Sequence, residues 1–150
     1  MLATQFPMVN AYARAALMHR NAARVLLEAC PRQGVSLLAT EVIYLCGYVV
    51  ECGLKALLMT HTPPRRHEEM LNRFKSPREI GHDLERIAVE LEQRNVNLPS
   101  EHRQIVRRIR RLWSPELQYK AANRPTGLAT ELFQDANDFY RWVTGGKTNG

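Results

Sequence analysis

The chemistry available to this chain is concentrated in an arginine row, one histidine beside an aspartate, and one acid–base pair four residues apart. Arg103, Arg107, Arg108, Arg110 and Arg111 are crowded into a single short segment. Placed at 100° intervals they share one half of a helix, and Ile105, Val106, Ile109, Leu112 and Trp113 take the other. Guanidinium groups along one solvent face suit phosphates. The same row also reads as a solvated face paired with nearby glutamates. Arg103, Arg107, Arg110 and Arg111 are the expected nucleic-acid contacts. No aromatic residue is interleaved there, so base stacking is not indicated.

His82-Asp83 follows Gly81 at an expected helix start. A histidine so placed can donate to a carboxylate or shuttle a proton near neutral pH, and it can equally be a capping residue. Glu51 and Lys55 stand at i and i+4 in the order that favours an ion pair. They read either as a structural pair inside the fold or as an anchor that positions His82 or an arginine. His19, His61, His67 and His102 are scattered. No spacing resembles a metal site, no Gly-rich loop cradles phosphates, and no nucleophile elbow occurs. No metal and no cofactor is expected.

These residues need elements to hold them, and the clearest element is residues 37–59. Glu41, Tyr44, Tyr48, Glu51 and Lys55 recur at spacings of 3 and 4 and form one polar stripe on an otherwise apolar helix. A helix apolar on nearly all sides is buried on nearly all sides, so the stripe requires partners in the fold or at an interface. A first helix is expected from Pro7 to Ala29, with Ala11, Ala15, Met18, Ala22, Val25 and Ala29 turned inward. Pro31 and Gly34 end it. Residues 61–81 form a basic connection with a possible short helical turn around Glu68 to Phe74. A further helix starts at His82 and Asp83, with Leu84, Ile87, Ala88 and Leu91 inward. Ser100 is the expected N-cap of the arginine-bearing helix, and Thr126 that of the last, which turns Leu132, Ala136 and Phe139 inward. No segment alternates with period 2. The expected fold is all-α, an antiparallel bundle of four to five helices. It forms a single domain over residues 1–144, with a disordered tail at 145–150.

The chain has 150 residues, 45% of them hydrophobic and 24% charged, which excludes wholesale disorder. Its net charge of +6 makes an acidic partner plausible, nucleic acid first. Cys30, Cys46 and Cys52 make no disulfide framework, and a reducing cytoplasm fits them best. Two glutamates and a lysine argue against residues 37–59 spanning a membrane. The arginine-bearing, initially acid-free N-terminus has one trait of a transit peptide, but its apolar phase continues to Ala29 as a bundle wall requires.

Two blocks carry a resemblance. Residues 47–58, Gly47-Tyr48-Val49-Val50-Glu51-Cys52-Gly53-Leu54-Lys55-Ala56-Leu57-Leu58, and residues 81–87, Gly81-His82-Asp83-Leu84-Glu85-Arg86-Ile87, resemble the best-marked blocks of the HEPN family, a nucleotide-binding domain of higher eukaryotes and prokaryotes. Trp113 with Tyr119, then Phe139-Tyr140-Arg141-Trp142-Val143, is similar to that family's C-terminal half. The resemblance implies a four- or five-helix bundle, commonly a homodimer. Many members are metal-independent endoribonucleases of toxin–antitoxin, anti-phage or RNA-processing systems, often beside a small nucleotidyltransferase. Their signature is an arginine followed, after four to six residues, by a histidine on a C-terminal helix. This chain departs from that pattern, because no histidine follows His102 and Gln118 stands before Tyr119 where many relatives have arginine. Arg14 and His19 have the right interval but lie on the first helix, and Arg78 and His82 are one residue too close.

The resulting expectation is a HEPN-like, cytoplasmic, homodimeric domain that binds RNA, a nucleotide or a protein partner without the usual cleavage chemistry. One alternative is a metal-independent endoribonuclease with a displaced site, for which His82, Arg78, His19 and Arg14 are the candidates. The other is a non-catalytic dimerisation module partnering a nucleotidyltransferase.

Overall fold

A computed structural model describes residues 7–119 and 122–145. Helix α1 (Pro7–Ala29) leads through a two-residue strand β1 (Val35–Ser36) into helix α2 (Leu37–Thr60). A 3₁₀ turn (Pro64–Arg66) and the short helix α3 (His67–Lys75) follow, then α4 (Leu84–Gln93) and α5 (Ser100–Leu112). A second 3₁₀ turn (Pro115–Tyr119), strand β2 (Arg124–Pro125) and helix α6 (Thr126–Thr144) complete the chain. The fold is an all-α bundle. The expected short helical turn is realised as α3. The expected disordered tail falls on residues 146–150, outside the described residues; Gly145 itself closes α6 in the left-handed conformation that favours glycine (φ 66°).

Helix α2 is the axle. From Val49 to Met59 every residue is buried, and each large apolar side chain so enclosed contributes about 1.5–3 kcal/mol. The helix is long and apolar enough to cross a membrane, yet its neighbours cover 83% of that apolar stretch. Ser36 caps its start, Oγ accepting from the Ala39 amide at 3.1 Å. His67 Nε2 lies against the carbonyls of Met59 and Thr62 at its end (3.1 and 2.8 Å).

The two strands form a two-residue antiparallel ladder, Val35 opposite Pro125 and Ser36 opposite Arg124. Sequence periodicity cannot show so short a pairing. Its effect is large, because it ties the starts of α2 and α6 together, with the Thr126 amide donating to Gly34 O at 3.0 Å. Thr40 Oγ1 adds a hydrogen bond to Ala122 O. The two helices therefore run side by side in the same sense, and Phe139 and Val143 of α6 lie against Gly53 of α2.

Three local expectations are corrected. The inward face of α1 carries Tyr12, Ala16, His19, Ala23 and Leu26, while Met18 and Val25 are 70% and 64% exposed and Ala11, Ala22 and Ala29 face solvent. Both rows have the same 4-3-4-3 spacing and lie one residue apart. The row that packs is the one whose Tyr12 and His19 rings meet Phe74 and Tyr48 (centroids 5.6 and 5.4 Å apart). Ser100 and Thr126 are the first helical residues rather than the caps. The preceding prolines cap instead, and Pro99 O accepts from the His102 and Arg103 amides. Proline has no amide to leave unpaired at such a position. Leu112 is 36% exposed because α5 ends there and the chain turns out at Trp113.

Candidate functional site: a histidine–glutamate cleft joined to an arginine groove

The site is built on the turn before α4. The Glu79 and Ile80 amides both close onto Ser76 O (3.1 Å each), and Ile80 is 1% exposed, so the turn is pinned to the core. Arg86 Nη1 donates to the carbonyls of Pro77, Arg78 and Glu79 (3.3, 2.8 and 2.8 Å). Gly81 then takes φ +52°, where a Cβ would meet Pro77 Cα at 3.0 Å. Asp83 caps α4, accepting from the amides of Glu85 and Arg86 at 3.0 and 3.3 Å. Held between this glycine and this cap, His82 projects back across α2.

There Nδ1 meets Glu51 Oε1 at 2.6 Å, across 31 residues of sequence. Glu51 is buried, its side chain 4% exposed, and its other oxygen faces Lys55 Nζ at 3.7 Å. Lys55 Nζ also sits 5.0 Å from the Phe74 ring centroid. An ionised carboxylate only accepts, so Nδ1–H donates to it and the neutral imidazole keeps its lone pair on Nε2. The anchor expectation for Glu51 and Lys55 therefore describes this contact, and the carboxylate that orients His82 is Glu51 rather than its neighbour Asp83.

Around Glu51 stand groups that sequence reading left apart. Tyr12 of α1 is pushed up to about 12 by burial first, then by Cys52 and Glu51. His19 is held below the usual histidine value by burial, against the pull of Glu51. Burial and a hydrogen bond with Tyr44 raise Tyr48 as well. The Tyr48 ring meets His19, Tyr44, Trp113 and His82. Burial pushes the Cys46 and Cys52 thiols up to about 12, which disfavours the thiolate. Of the expected stripe, Glu51 and Lys55 are buried and Tyr44 and Tyr48 half-buried, but Glu41 is exposed. Only the second half of the stripe runs through the wrapped part of α2.

Trp113 roofs this cluster. Its ring lies on Gly47 of α2, and Nε1 donates to Tyr44 O at 2.9 Å. A glycine inside an otherwise large-residue apolar helix was the sequence signal for such an approach. Trp113, His82 and Arg110, with Pro77, Ser114 and Pro115, line a cleft of about 310 Å³. His82 stays 52% exposed at its rim. Arg110 belongs equally to a larger groove of about 580 Å³ between α4 and α5. One wall of that groove carries Arg103, Arg107, Arg110 and Arg111, the other Glu85, Ala88, Val89 and Glu92.

The arginine row is divided by its partners. Arg108 forms a forked pair with Asp135 of α6 (2.8 and 2.8 Å), and Arg110 reaches Glu85 across the groove at 2.6 Å. Among the described residues Arg103, Arg107 and Arg111 form no ion pair within the chain. Of the four candidates for a displaced cleavage site, His82 lies in the cleft and Arg78 is exposed on its supporting turn. Arg14 and His19 do not converge, since His19 stacks inward on Tyr48 while Arg14 faces solvent. Among the described residues no group of three or more His, Cys, Asp or Glu could hold a metal ion.

Fold and site together define an all-α bundle with a carboxylate-oriented histidine in a cleft that opens into an arginine-walled groove. No family model, no curated protein and no solved structure matches the chain.

Proposed function

We propose that this domain binds RNA through its phosphates, along the groove between α4 and α5, as a cytoplasmic HEPN-like protein without the usual cleavage signature. The observation that carries the reading is the convergence of Arg103, Arg107, Arg110 and Arg111 on one wall of the groove. Three of these, Arg103, Arg107 and Arg111, form no ion pair among the described residues and follow one another about one helical turn apart, a spacing at which they can follow successive phosphates. Glu85 and Glu92 on the facing wall repel phosphate, which confines the backbone to the α5 side. Fluorescence titration of a single-stranded RNA tests it. Affinity should fall with salt at a log–log slope of about −0.7 per phosphate contacted. Arg103→Ala, Arg107→Ala and Arg111→Ala should each weaken binding and shallow the slope. Salt-insensitive or absent binding would overturn the reading and leave the dimerisation module beside a nucleotidyltransferase that the family resemblance implies.

The Glu51–His82 contact favours one second reading, a metal-independent endoribonuclease. In this reading Nδ1–H is committed to Glu51, and Nε2 takes the proton of an RNA 2′-hydroxyl as that oxygen attacks the adjacent phosphorus and returns it to the departing 5′-oxygen. Arg110 lies beside the cleft to offset phosphorane charge. Incubation with RNA in EDTA decides between the two readings. Cleavage lost in His82→Ala and retained in His19→Ala would establish the enzyme, and intact RNA at saturating protein would exclude it.

A further inference from the structure

The outward row of α1, exposed at each position but the half-buried Ala15, has an arrangement that single-chain folding does not explain. Ala11, Ala15, Met18, Ala22, Val25 and Ala29 are spaced 4, 3, 4, 3 and 4, a heptad seam maintained over about 27 Å of helix. Met18 and Val25 are the two most exposed large hydrophobic residues among those described. An apolar seam of this period is what a second helix packs against at a shallow crossing angle.

We propose that the occupant is α1 of a second copy of this chain, packed antiparallel about a two-fold axis. The spacing is palindromic, so each seam position faces another seam position when the copies are reversed. Large then meets small at the inner layers, and alanine meets alanine at the ends. Met18 opposes Ala22 of the second copy, Val25 opposes Ala15, and Ala11 opposes Ala29. An isologous contact requires this self-complementarity, and the alanines let the two backbones approach closely.

Charge supports the same register independently. Arg14, Asn21 and Glu28 lie seven residues apart on the open flank of the seam, all exposed. Among the described residues neither Arg14 nor Glu28 forms an ion pair within its own chain, and 14 helical positions separate them by about 21 Å. In an antiparallel pair such flanking positions face one another, so Arg14 meets Glu28 of the second copy twice. Asn21, whose Oδ1 accepts from Arg24 at 3.1 Å, meets its own counterpart near the axis. A parallel pair would bring neither contact about. The other flank is occupied by Tyr12, His19 and Leu26, which pack on the chain's own core, so the second copy approaches from the open side alone.

Analytical ultracentrifugation of the full chain over a hundredfold concentration range tests the proposal. The wild-type mass should rise towards twice 17.2 kDa with concentration. Met18→Glu and Val25→Glu, both at solvent-facing positions and checked by circular dichroism for retained helix, should remain monomeric throughout. Arg14→Glu and Glu28→Arg should each shift the transition to at least several-fold higher concentration. The double exchange Arg14→Glu/Glu28→Arg should restore it. A wild-type monomer at every concentration, a dimer indifferent to Met18→Glu, or single changes that the double exchange does not repair would each overturn the proposal. RNA affinity of the monomeric variants is a separate readout, since the arginine groove lies on α4 and α5.

Discussion

Replacing Gly47 by alanine sets two effects of opposite sign against each other. In a helix interior the change should stabilise by about 1 kcal/mol, because alanine loses less backbone entropy. The tertiary contact opposes it. An added Cβ would lie 2.1 Å from Trp113 Cδ2 and 2.2 Å from Cδ1 and Cε2, far inside contact distance. Trp113 has little room to retreat, being 6% exposed, tied by Nε1 to Tyr44 O and set edge-on to Tyr48. Overpacking costs about 1–3 kcal/mol, and a lost indole hydrogen bond leaves the buried Trp113 N–H without its acceptor at a further 1–3 kcal/mol or so. After the propensity gain, a net destabilisation of about 1–5 kcal/mol remains. Urea unfolding followed by far-ultraviolet circular dichroism measures it, with tryptophan emission reporting displacement of the ring. The decisive arm is the same substitution in a Trp113→Ala background, where the obstacle is gone and alanine should stabilise by its propensity alone. Stabilisation by Gly47→Ala in the wild-type chain, or one shift of the same sign in both backgrounds, would refute the reasoning.

Glu51→Ala should cost about 3–5 kcal/mol in chemical denaturation, because it leaves the Lys55 ammonium buried and unpaired. The joint change Glu51→Met/Lys55→Met should recover most of that loss, and equal destabilisation of single and double variants would contradict the ion-pair account. Acid sensitivity is expected from His19, whose folded-state value lies below its unfolded value of about 6.5. The unfolded chain then takes up the proton first, so this contribution to stability is complete above about pH 6.5 and is lost as pH falls through the folded value. Denaturation midpoints at a series of pH values should decline on acidification, and His19→Gln should flatten that decline.

The chemistry of the site was half legible. Gly81, His82 and Asp83 marked a helix start, and Glu51 and Lys55 marked a polar stripe that needed partners. Nothing local joined the two, since the contact closes across 31 residues and depends on where Ser76, Arg86 and Gly81 hold the turn. The arginine face was visible as a row of five. Its division into a groove wall and a pair spent on Asp135 depended on which helices came to lie beside α5.

Sequence by itself determined the helices, because hydrophobic period, prolines and caps act within a few residues, and it marked α2 as the core because an all-round apolar helix has nowhere else to go. It could not choose the inward face of α1, where two rows of equal period lie one residue apart. That choice was made by ring packing, Tyr12 against Phe74 and His19 against Tyr48, between segments distant in the chain. The same rotation that buried one row left the other open to solvent. Side-chain shape across elements, which no local pattern encodes, decided both.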